Sequence, residues 1–263
     1  MQVLKQIIPY QKQSDSFYIA FIGDTHIGHR TVDWPTLKRV LNWIRENKAF
    51  WIGMGDWAHA IAPHPNERRL DLDELDPQFL TPEQQYKKVY ELLEPIRRQG
   101  LMILTGNHDD VLRRRHYHDF VDALAYKLGV AYAGYDGFLR LVFRRGRHRQ
   151  RLDIYAHHGF YGGRTKAGKI NRLTDMANLF EADVYVMGHI HEIDHTTNVR
   201  LYVDSRLHVQ EKVQHFLVTG GFIRGYVPNC HTYIERRMLR PTRLGSIALR
   251  FWPETRKIEV IEI

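Results

Sequence analysis

The chain has 263 residues, 43% of them hydrophobic and 26% charged, the balance of a soluble globular protein with one large domain or two small ones. Its single cysteine, Cys230, excludes an internal disulfide framework and a zinc site built from thiolates. The formal net charge of +8 favours an anionic partner, although a basic surface alone would also give this charge, and the 16 histidines suggest metal ligation.

Strand and helix patterns alternate over the first two thirds of the chain, as apolar runs, helical spacing and helix-starting prolines indicate. In chain order the predicted elements are strand 17–23, helix 35–47, strand 49–54, a loop or short helix within 62–80, helix 81–98, strand 101–105, helix 117–128, a strand near 130–133, a hairpin of strands 137–143 and 151–156, helix 169–180 and strand 183–187.

From residue 198 onward the patterns are almost entirely those of strands. This order predicts an α/β protein in which two packed sheets are flanked by helices. We expect a single domain over 1–263, with the C-terminal strands of 198–263 completing the second sheet. No apolar run approaches the roughly 18 residues of a membrane helix, and the N-terminal segment is too polar for a secretory signal. We therefore expect a cytoplasmic protein without a membrane partner.

Five predicted strands are followed by Asp, Asn or His, residue types that commonly ligate metals in proteins. The segments that follow these strands are Gly23-Asp24-Thr25-His26, Gly55-Asp56, Gly106-Asn107-His108-Asp109, His157-His158-Gly159 and Gly188-His189-Ile190-His191. One such segment alone is typical of an ordinary loop. Five in order are not, because open α/β sheets bring the carboxyl ends of their strands to one rim. Buried Asp and His without a cation would cost several kcal/mol, so the pattern predicts a metal centre.

These five blocks, spread over about 17–195, resemble the motifs of the calcineurin-like metallophosphoesterase superfamily. The resemblance implies a four-layer αββα sandwich of two mixed β-sheets and a centre of two divalent metal ions. Mixed carboxylate and imidazole ligands suit Mn, Fe, Zn or Ni, and we expect Mn. By the same resemblance Asp24, His26 and His191 hold the first metal, Asn107, His157 and His189 hold the second, and Asp56 bridges them.

The fourth block contains two adjacent histidines, and only one is needed. We prefer His157 because it directly follows the strand, with His158 as the alternative. The chemistry that the resemblance implies is attack of a metal-bridging hydroxide on phosphorus. His108, next to Asn107, is the candidate general acid for the leaving oxygen, or else a structural residue.

The class of phosphoester substrate is predicted from the positions at which this sequence differs from the motifs of each branch of the family. The chain lacks the second Asp and the Arg-Gly that Ser/Thr protein phosphatases carry after the bridging Asp. A histidine three residues after that Asp, His59, resembles the DNA-repair nuclease branch, where it helps to place the scissile phosphate; it could equally be a loop histidine. We expect no counterpart of the capping domain of those nucleases. Its C-terminal pattern is loosely similar to small phage and prophage metallophosphoesterases.

Basic residues follow two of the predicted ligand segments. Arg113 and Arg114 come soon after Asn107-His108, and Arg164 and Lys166 come soon after His158. Such residues can bind the phosphates that flank a scissile bond, and the nearby Tyr117 and Tyr161 could stack on bases; a solvated charged face is the alternative.

We therefore predict a nuclease that acts on nucleic acid, with DNA favoured. The alternatives are a phosphoesterase for nucleotides or other small phosphoesters and a non-catalytic metallodomain that binds nucleic acid. The sequence leaves the oligomeric state open.

Overall fold

A computed structural model gives the fold and describes residues 1–60, 74–160 and 166–263, except for the side chains of 166 and 167. The strands in this part of the chain are β1 (Gln2–Pro9), β2 (Phe17–Ile22), β3 (Phe50–Gly53), β4 (Gly100–Ile103), β5 (Ala131–Tyr132), β6 (Asp136–Arg145), β7 (His148–His157), β8 (Val184–Met187), β9 (Ile193–Val203), β10 (Val209–Thr219), β11 (Ile247–Trp252) and β12 (Lys257–Glu262). The helices are α1 (Trp34–Glu46), α2 (Pro82–Leu93), α3 (Asn107–His116), α4 (Phe120–Leu128), α5 (Lys166–Asp175) and α6 (Tyr233–Arg236).

The strands form two mixed sheets of six. Sheet I has the order β12-β11-β2-β3-β4-β5, in which β2 to β5 run parallel and β11 pairs antiparallel with β2. Sheet II has the order β1-β6-β7-β8-β10-β9, with parallel pairing of β7, β8 and β10 and antiparallel pairing of β9 with β10.

Alternating side chains divide the core into layers. In β2, Ile19 and Phe21 pack between the sheets, whereas Ala20 and Ile22 pack against α1, α2 and α4 on the outer face of sheet I. On the outer face of sheet II, Tyr185 of β8 lies in a smaller cluster with residues of α5. The result is helix, sheet, sheet and helix, so the predicted four-layer α/β sandwich is confirmed.

The helices begin where the sequence provides caps. In α1 the Asp33 carboxylate accepts a hydrogen bond from the Thr36 N–H, and Pro35 occupies the first turn. In α2 Thr81 and Gln84 form a reciprocal capping box. Within the described residues no helix is long and apolar enough to cross a bilayer.

The C-terminal strands do not complete a single sheet, contrary to expectation. The β9–β10 hairpin extends sheet II, but β11 and β12 join sheet I. Strand β11 pairs antiparallel with the edge of β2 that β3 leaves free, and β12 follows it. This pairing places Ile247, Leu249 and Phe251 of β11 in the core between the sheets.

Three of the described elements were missed by pattern alone: β1, α3 and the short helix α6. Strand β1 pairs in parallel with β6, although most of its side chains are exposed. Helix α3 begins at Asn107, ten residues before the predicted helix; its sequence is dominated by charged side chains and gives little apolar periodicity. Much of the predicted loop within 62–80, namely residues 62–73, lies outside the described part of the chain.

Candidate metal centre

The ends of strands from both sheets meet at one rim, as predicted. Strands β2, β3 and β4 of sheet I and β7 and β8 of sheet II are each followed there by Asp, Asn or His. Several of these residues have a left-handed backbone, which costs about 1–3 kcal/mol each in a non-glycine residue and is typical of functional sites. Among the residues at this rim, those with φ between 44° and 68° are Asp24, His26, Asp56, His189 and His191.

Asp24, His26 and His191 form the first potential ligand group. The Nε2 atoms of His26 and His191 are 3.1 Å apart, and His191 Nε2 lies 3.3 Å from Asp24 Oδ1. His26 Nε2 is 4.0 Å from the same oxygen. Ligand atoms around a metal at about 2.0–2.2 Å have separations close to these. The structure therefore brings together the three predicted ligands of the first metal.

Asp56, His158 and His189 form the second group, with ligand atoms that all lie within 4.8 Å of one another. His158 Nε2 is 3.4 Å from Asp56 Oδ2 and 3.2 Å from Asn107 Oδ1. The predicted residues Asn107 and His189 thus lie in the second group, together with a histidine that was only the alternative.

The structure places His158, and not the preferred His157, in this group. Strand β7 continues through His157, which pairs with Asp136 of β6, so the chain leaves the sheet one residue later than predicted. His157 Nδ1 accepts a hydrogen bond of 2.7 Å from the Gly159 N–H, and its ring lies beside Phe160. His158 is fully buried and faces Asn107 and Asp56. The preference for His157 is therefore corrected to His158.

Asp56 lies between the two groups. Its Oδ2 is 3.6 Å from His26 Nε2 of the first group and 3.4 Å from His158 Nε2 of the second. Its Oδ1 accepts a hydrogen bond of 2.8 Å from the His108 N–H, which fixes the carboxylate plane. This position is the one that a bridging ligand requires.

Hydrogen bonds from the surrounding backbone orient the imidazoles. His158 Nδ1–H donates to the Met54 carbonyl at 2.7 Å, which leaves Nε2 to face the ligand group. Although burial favours its neutral ring, the Asp56 carboxylate raises the pKa of His158 to about 10. Burial instead lowers the pKa of His189 to about 4. Without a cation, the rim therefore holds a proton on His158 to balance Asp56.

The donor set fits a divalent cation. Asp24 Oδ1 and His26 Nδ1 are buried and have no hydrogen-bond partner within the described ranges, which is costly unless something else satisfies the site. A cation bound beside Asp24 Oδ1 would satisfy that oxygen. Carboxylate, amide and imidazole ligands together match Mn, Fe, Zn or Ni.

Gly106 leaves the space that Asp56 occupies. A Cβ at this position would overlap the Asp56 carboxylate and backbone nitrogen, while the Gly106 φ of −108° is ordinary for any residue. We therefore expect Gly106→Ala to displace Asp56, to destabilise the protein by about 1–3 kcal/mol and to weaken metal retention. Denaturant unfolding and metal analysis check this.

Gly134→Ala is the matched control for that variant. Gly134 has φ of 74° and open space around its Cβ direction, so alanine there tests backbone strain alone. Normal metal content in Gly106→Ala would contradict the prediction.

His108 lies at the edge of the centre, at the start of α3. Its Nδ1–H donates to the His59 carbonyl at 2.8 Å, and its ring packs edge-on against His26 with centroids 4.6 Å apart. Because Nδ1 is committed to the carbonyl, Nε2 is the nitrogen available for proton transfer. The structure thus places this predicted acid beside the metal ligands.

His59 lies deeper than its predicted role suggests. It is 4% exposed, its ring is stacked behind that of His108, and neither of its nitrogens has a hydrogen-bond partner within the described part of the chain. It belongs to a group of buried residues, His29, His59 and Glu74, of which the sequence patterns indicated only His59. The His59 ring therefore packs against the His108 ring from the interior of the protein. Direct contact with a phosphate would require His59 to become exposed.

Asp109 is a further residue that pattern reasoning did not single out, although it belongs to the Gly-Asn-His-Asp block. Its buried carboxylate accepts hydrogen bonds from the Trp57 and Gly106 N–H groups and from the Tyr86 hydroxyl. Burial and the nearby Asp56 raise the pKa of Asp109 to about 6. Asp109 thus ties the loop after β3 to the start of α3, which carry Asp56 and Asn107.

The predicted substrate-binding residues are only partly described. Arg113 and Arg114 lie at the end of α3, are 51% and 60% exposed, and both pair with the buried Asp110 at 2.6 and 2.7 Å. Arg164 and Tyr161 lie outside the described residues, as does the side chain of Lys166, which begins α5. Tyr117, just after α3, is 93% exposed.

Comparison with known proteins agrees with this geometry. The family model for the calcineurin-like phosphoesterases matches residues 17–192, a span that contains every candidate ligand described above. No curated protein matches the chain in a sequence search. The chain therefore belongs to the calcineurin-like phosphoesterase family, whose members hold a dinuclear metal centre and are metal-dependent phosphoesterases.

Proposed function

We propose that this protein is a nuclease, a phosphodiesterase that hydrolyses nucleic acid, most favourably DNA, with two manganese ions. The observation that carries the proposal is the arrangement on α3. Asn107 and His108 at its first turn face the metal centre, and Arg113 and Arg114 stand six residues further along, about 9 Å by helix rise. A substrate with phosphates on both sides of the scissile bond would contact both ends of this helix.

The residues have distinct parts in the proposed reaction. When bound, two divalent metals supply an activated water and neutralise charge on the phosphate oxygens. Asp24, His26 and His191 would hold one, Asn107, His158 and His189 the other, with Asp56 shared. His108, held by the His59 carbonyl, would donate its Nε2 proton to the leaving oxygen.

The exposed guanidinium groups support a polymeric substrate. Asp110 neutralises one of the two charges of Arg113 and Arg114, so this end of α3 keeps a net positive charge that can bind a flanking phosphate. The same neutralisation favours the second candidate, a phosphoesterase for nucleotides or small phosphoesters, because it leaves little charge for a long strand.

A hydrolysis panel with purified protein and Mn²⁺ tests the proposal. It compares bis-p-nitrophenyl phosphate with single- and double-stranded DNA, and the Asp56→Asn variant controls for contaminating nucleases. DNA cleavage that disappears in the variant supports a nuclease. Cleavage of the small diester with intact DNA rejects it in favour of small phosphoesters, and DNA binding without any hydrolysis indicates a binding domain.

His108→Ala is expected to lower kcat on DNA by about 10²-fold, because the alkoxide leaving group loses its proton donor. On bis-p-nitrophenyl phosphate the loss should be much smaller, since p-nitrophenolate leaves without protonation. Metal content should stay at that of the unmodified protein.

The control for His108→Ala is His208→Ala, an exposed histidine in the β9–β10 turn. Equal losses on DNA and on the activated diester would show that His108 does not act as the acid.

Arg114→Gln is expected to raise KM for DNA by roughly three- to tenfold and to reduce the slope of log K against log salt by about 1, the loss of one phosphate contact. Turnover of the small diester should not change. Arg147→Gln, at the exposed tip of the β6–β7 hairpin, is the matched control. An unchanged salt slope in Arg114→Gln would place the DNA elsewhere.

A further inference from the structure

The β9–β10 hairpin carries an exposed apolar surface, which we call the ribbon face. Its side chains are between 46% and 68% exposed. They alternate along the two strands: Val199 lies opposite Val213 and Val203 opposite Val209, while Leu201 between them lies opposite Glu211, the one charged residue on this side of the hairpin between 199 and 213. The residues of the ribbon face are Val199, Leu201, Val203, Val209 and Val213.

The ribbon face continues the inner face of sheet II beyond the core. Alternation along β10 places Val213 on the same side as Leu217, which packs between the two sheets. The opposite side of the hairpin is polar, and there Arg200 and Lys212 both bind Glu181, at 2.7 and 2.9 Å. One side of the hairpin is therefore solvated and held to its own subunit, while the other presents five aliphatic side chains around the single carboxylate of Glu211.

Strand β9 is also the last strand of sheet II. Natural sheets protect such edges with charges, prolines or bulges, because an unpaired edge pairs with other chains. From Val199 to Val203 the only charged residue is Arg200, and no proline or register shift interrupts the pairing of β9 with β10. From Val199 to Val203 the edge therefore has one of these protections, the charge of Arg200, and neither a proline nor a bulge.

We propose that this surface binds a second copy of the chain, with the two β9 strands paired antiparallel about a two-fold axis at Leu201. In that register Leu201 meets its own counterpart, and Val199 meets Val203 of the second copy. Arg200 meets Tyr202, a pair suited to a cation–π contact, so no like charges face each other. This self-complementarity is what an isologous two-fold interface requires and what selects a second copy over an unrelated partner.

The sheets of the two copies would then form one continuous sheet of twelve strands, with the two ribbon faces on the same side. The interface lies apart from the metal ligands, and it does not depend on which phosphoester the protein hydrolyses. The proposal therefore stands or falls separately from the nuclease function.

Light scattering and sedimentation equilibrium of the full chain, over a range of concentrations, test the proposal. The unmodified protein is expected to be a dimer in reversible exchange with monomer. Leu201→Arg would place two like charges on the two-fold axis and should raise the dimer dissociation constant at least a hundredfold. Its fold should persist, since the Leu201 side chain is 64% exposed. Circular dichroism and melting temperature verify this.

Gln210→Arg is the matched control, because Gln210 lies on the polar side of the same hairpin, opposite Tyr202. It adds the same charge and should leave the dimer intact. A monomer at all concentrations, or a dimer that Leu201→Arg does not weaken, would overturn the proposal.

A cysteine test fixes the register. Only a residue on the two-fold axis faces itself, so Leu201→Cys should form a disulfide-linked dimer under mild oxidation, while Val213→Cys on β10 should not. The native Cys230 is buried and provides no competing exposed thiol. Cross-linking of Val213→Cys but not of Leu201→Cys would reject this pairing.

Discussion

Replacing Asp56 by Asn is expected to remove both metals and to reduce turnover of any phosphodiester by at least about 10³-fold, the range of losses when a group that stabilises transition-state charge is removed. The reason lies in the hydrogen bond from the His108 N–H to Asp56 Oδ1. An asparagine oxygen can take over that bond only if the amide NH₂ turns toward His26 and His158, where Oδ2 now stands. An NH₂ group cannot act as a ligand, so both groups lose their shared donor.

Metal analysis of the purified variant checks this prediction directly. The divalent metal bound per chain should fall from the content of the unmodified protein toward zero, alongside the loss of activity. Asp153→Asn is the matched control, because Asp153 is also buried but pairs with Arg140, outside the ligand groups. A variant that retains two metals and measurable turnover would show that Asp56 does not bridge.

His158→Ala is expected to abolish one metal site and to lower kcat by about 10²–10³-fold, whereas His157→Ala should retain both metals and most of the activity. Because the two residues are neighbours in sequence, comparing the two variants distinguishes the loss of a metal ligand from a general disturbance of the loop. His158 Nε2 faces Asn107 and Asp56, but His157 Nδ1 is occupied by the Gly159 N–H.

Metal titration by calorimetry distinguishes the outcomes for this pair. His158→Ala should show one binding event fewer than the unmodified protein, and His157→Ala should match it. The reverse result would restore the original preference for His157 and would require β7 to end one residue earlier than it does. Equal defects in both variants would indicate that the loop after β7 is supported by both rings.

The order of the five candidate ligand segments could be predicted from the sequence because each segment follows a local apolar pattern. Apolar runs define buried strands, and the residue after each run lies at a strand end whatever the details of packing. This was enough to locate Asp24, His26, Asp56, Asn107 and the histidines of the last block at one rim. It was also enough for the layered α/β architecture, since alternating strands and helices allow few others.

Other features depended on partners distant in the chain. Strand β7 ends at His157 because β6 pairs with it that far, a length that no local pattern specifies, and this decided which histidine faces Asn107. The burial of His59 depends on the rings of His29 and His108 around it.

The sequence by itself therefore determined the order of the candidate ligand segments and, through them, the resemblance to the family. Only the tertiary structure decided which of two adjacent histidines lies in the centre, that β11 and β12 join sheet I, and that the β9–β10 hairpin exposes its aliphatic side. The physical reason is that strand ends and side-chain alternation are local properties of the chain. Strand lengths, edge pairing and burial are fixed by contacts between segments far apart in sequence.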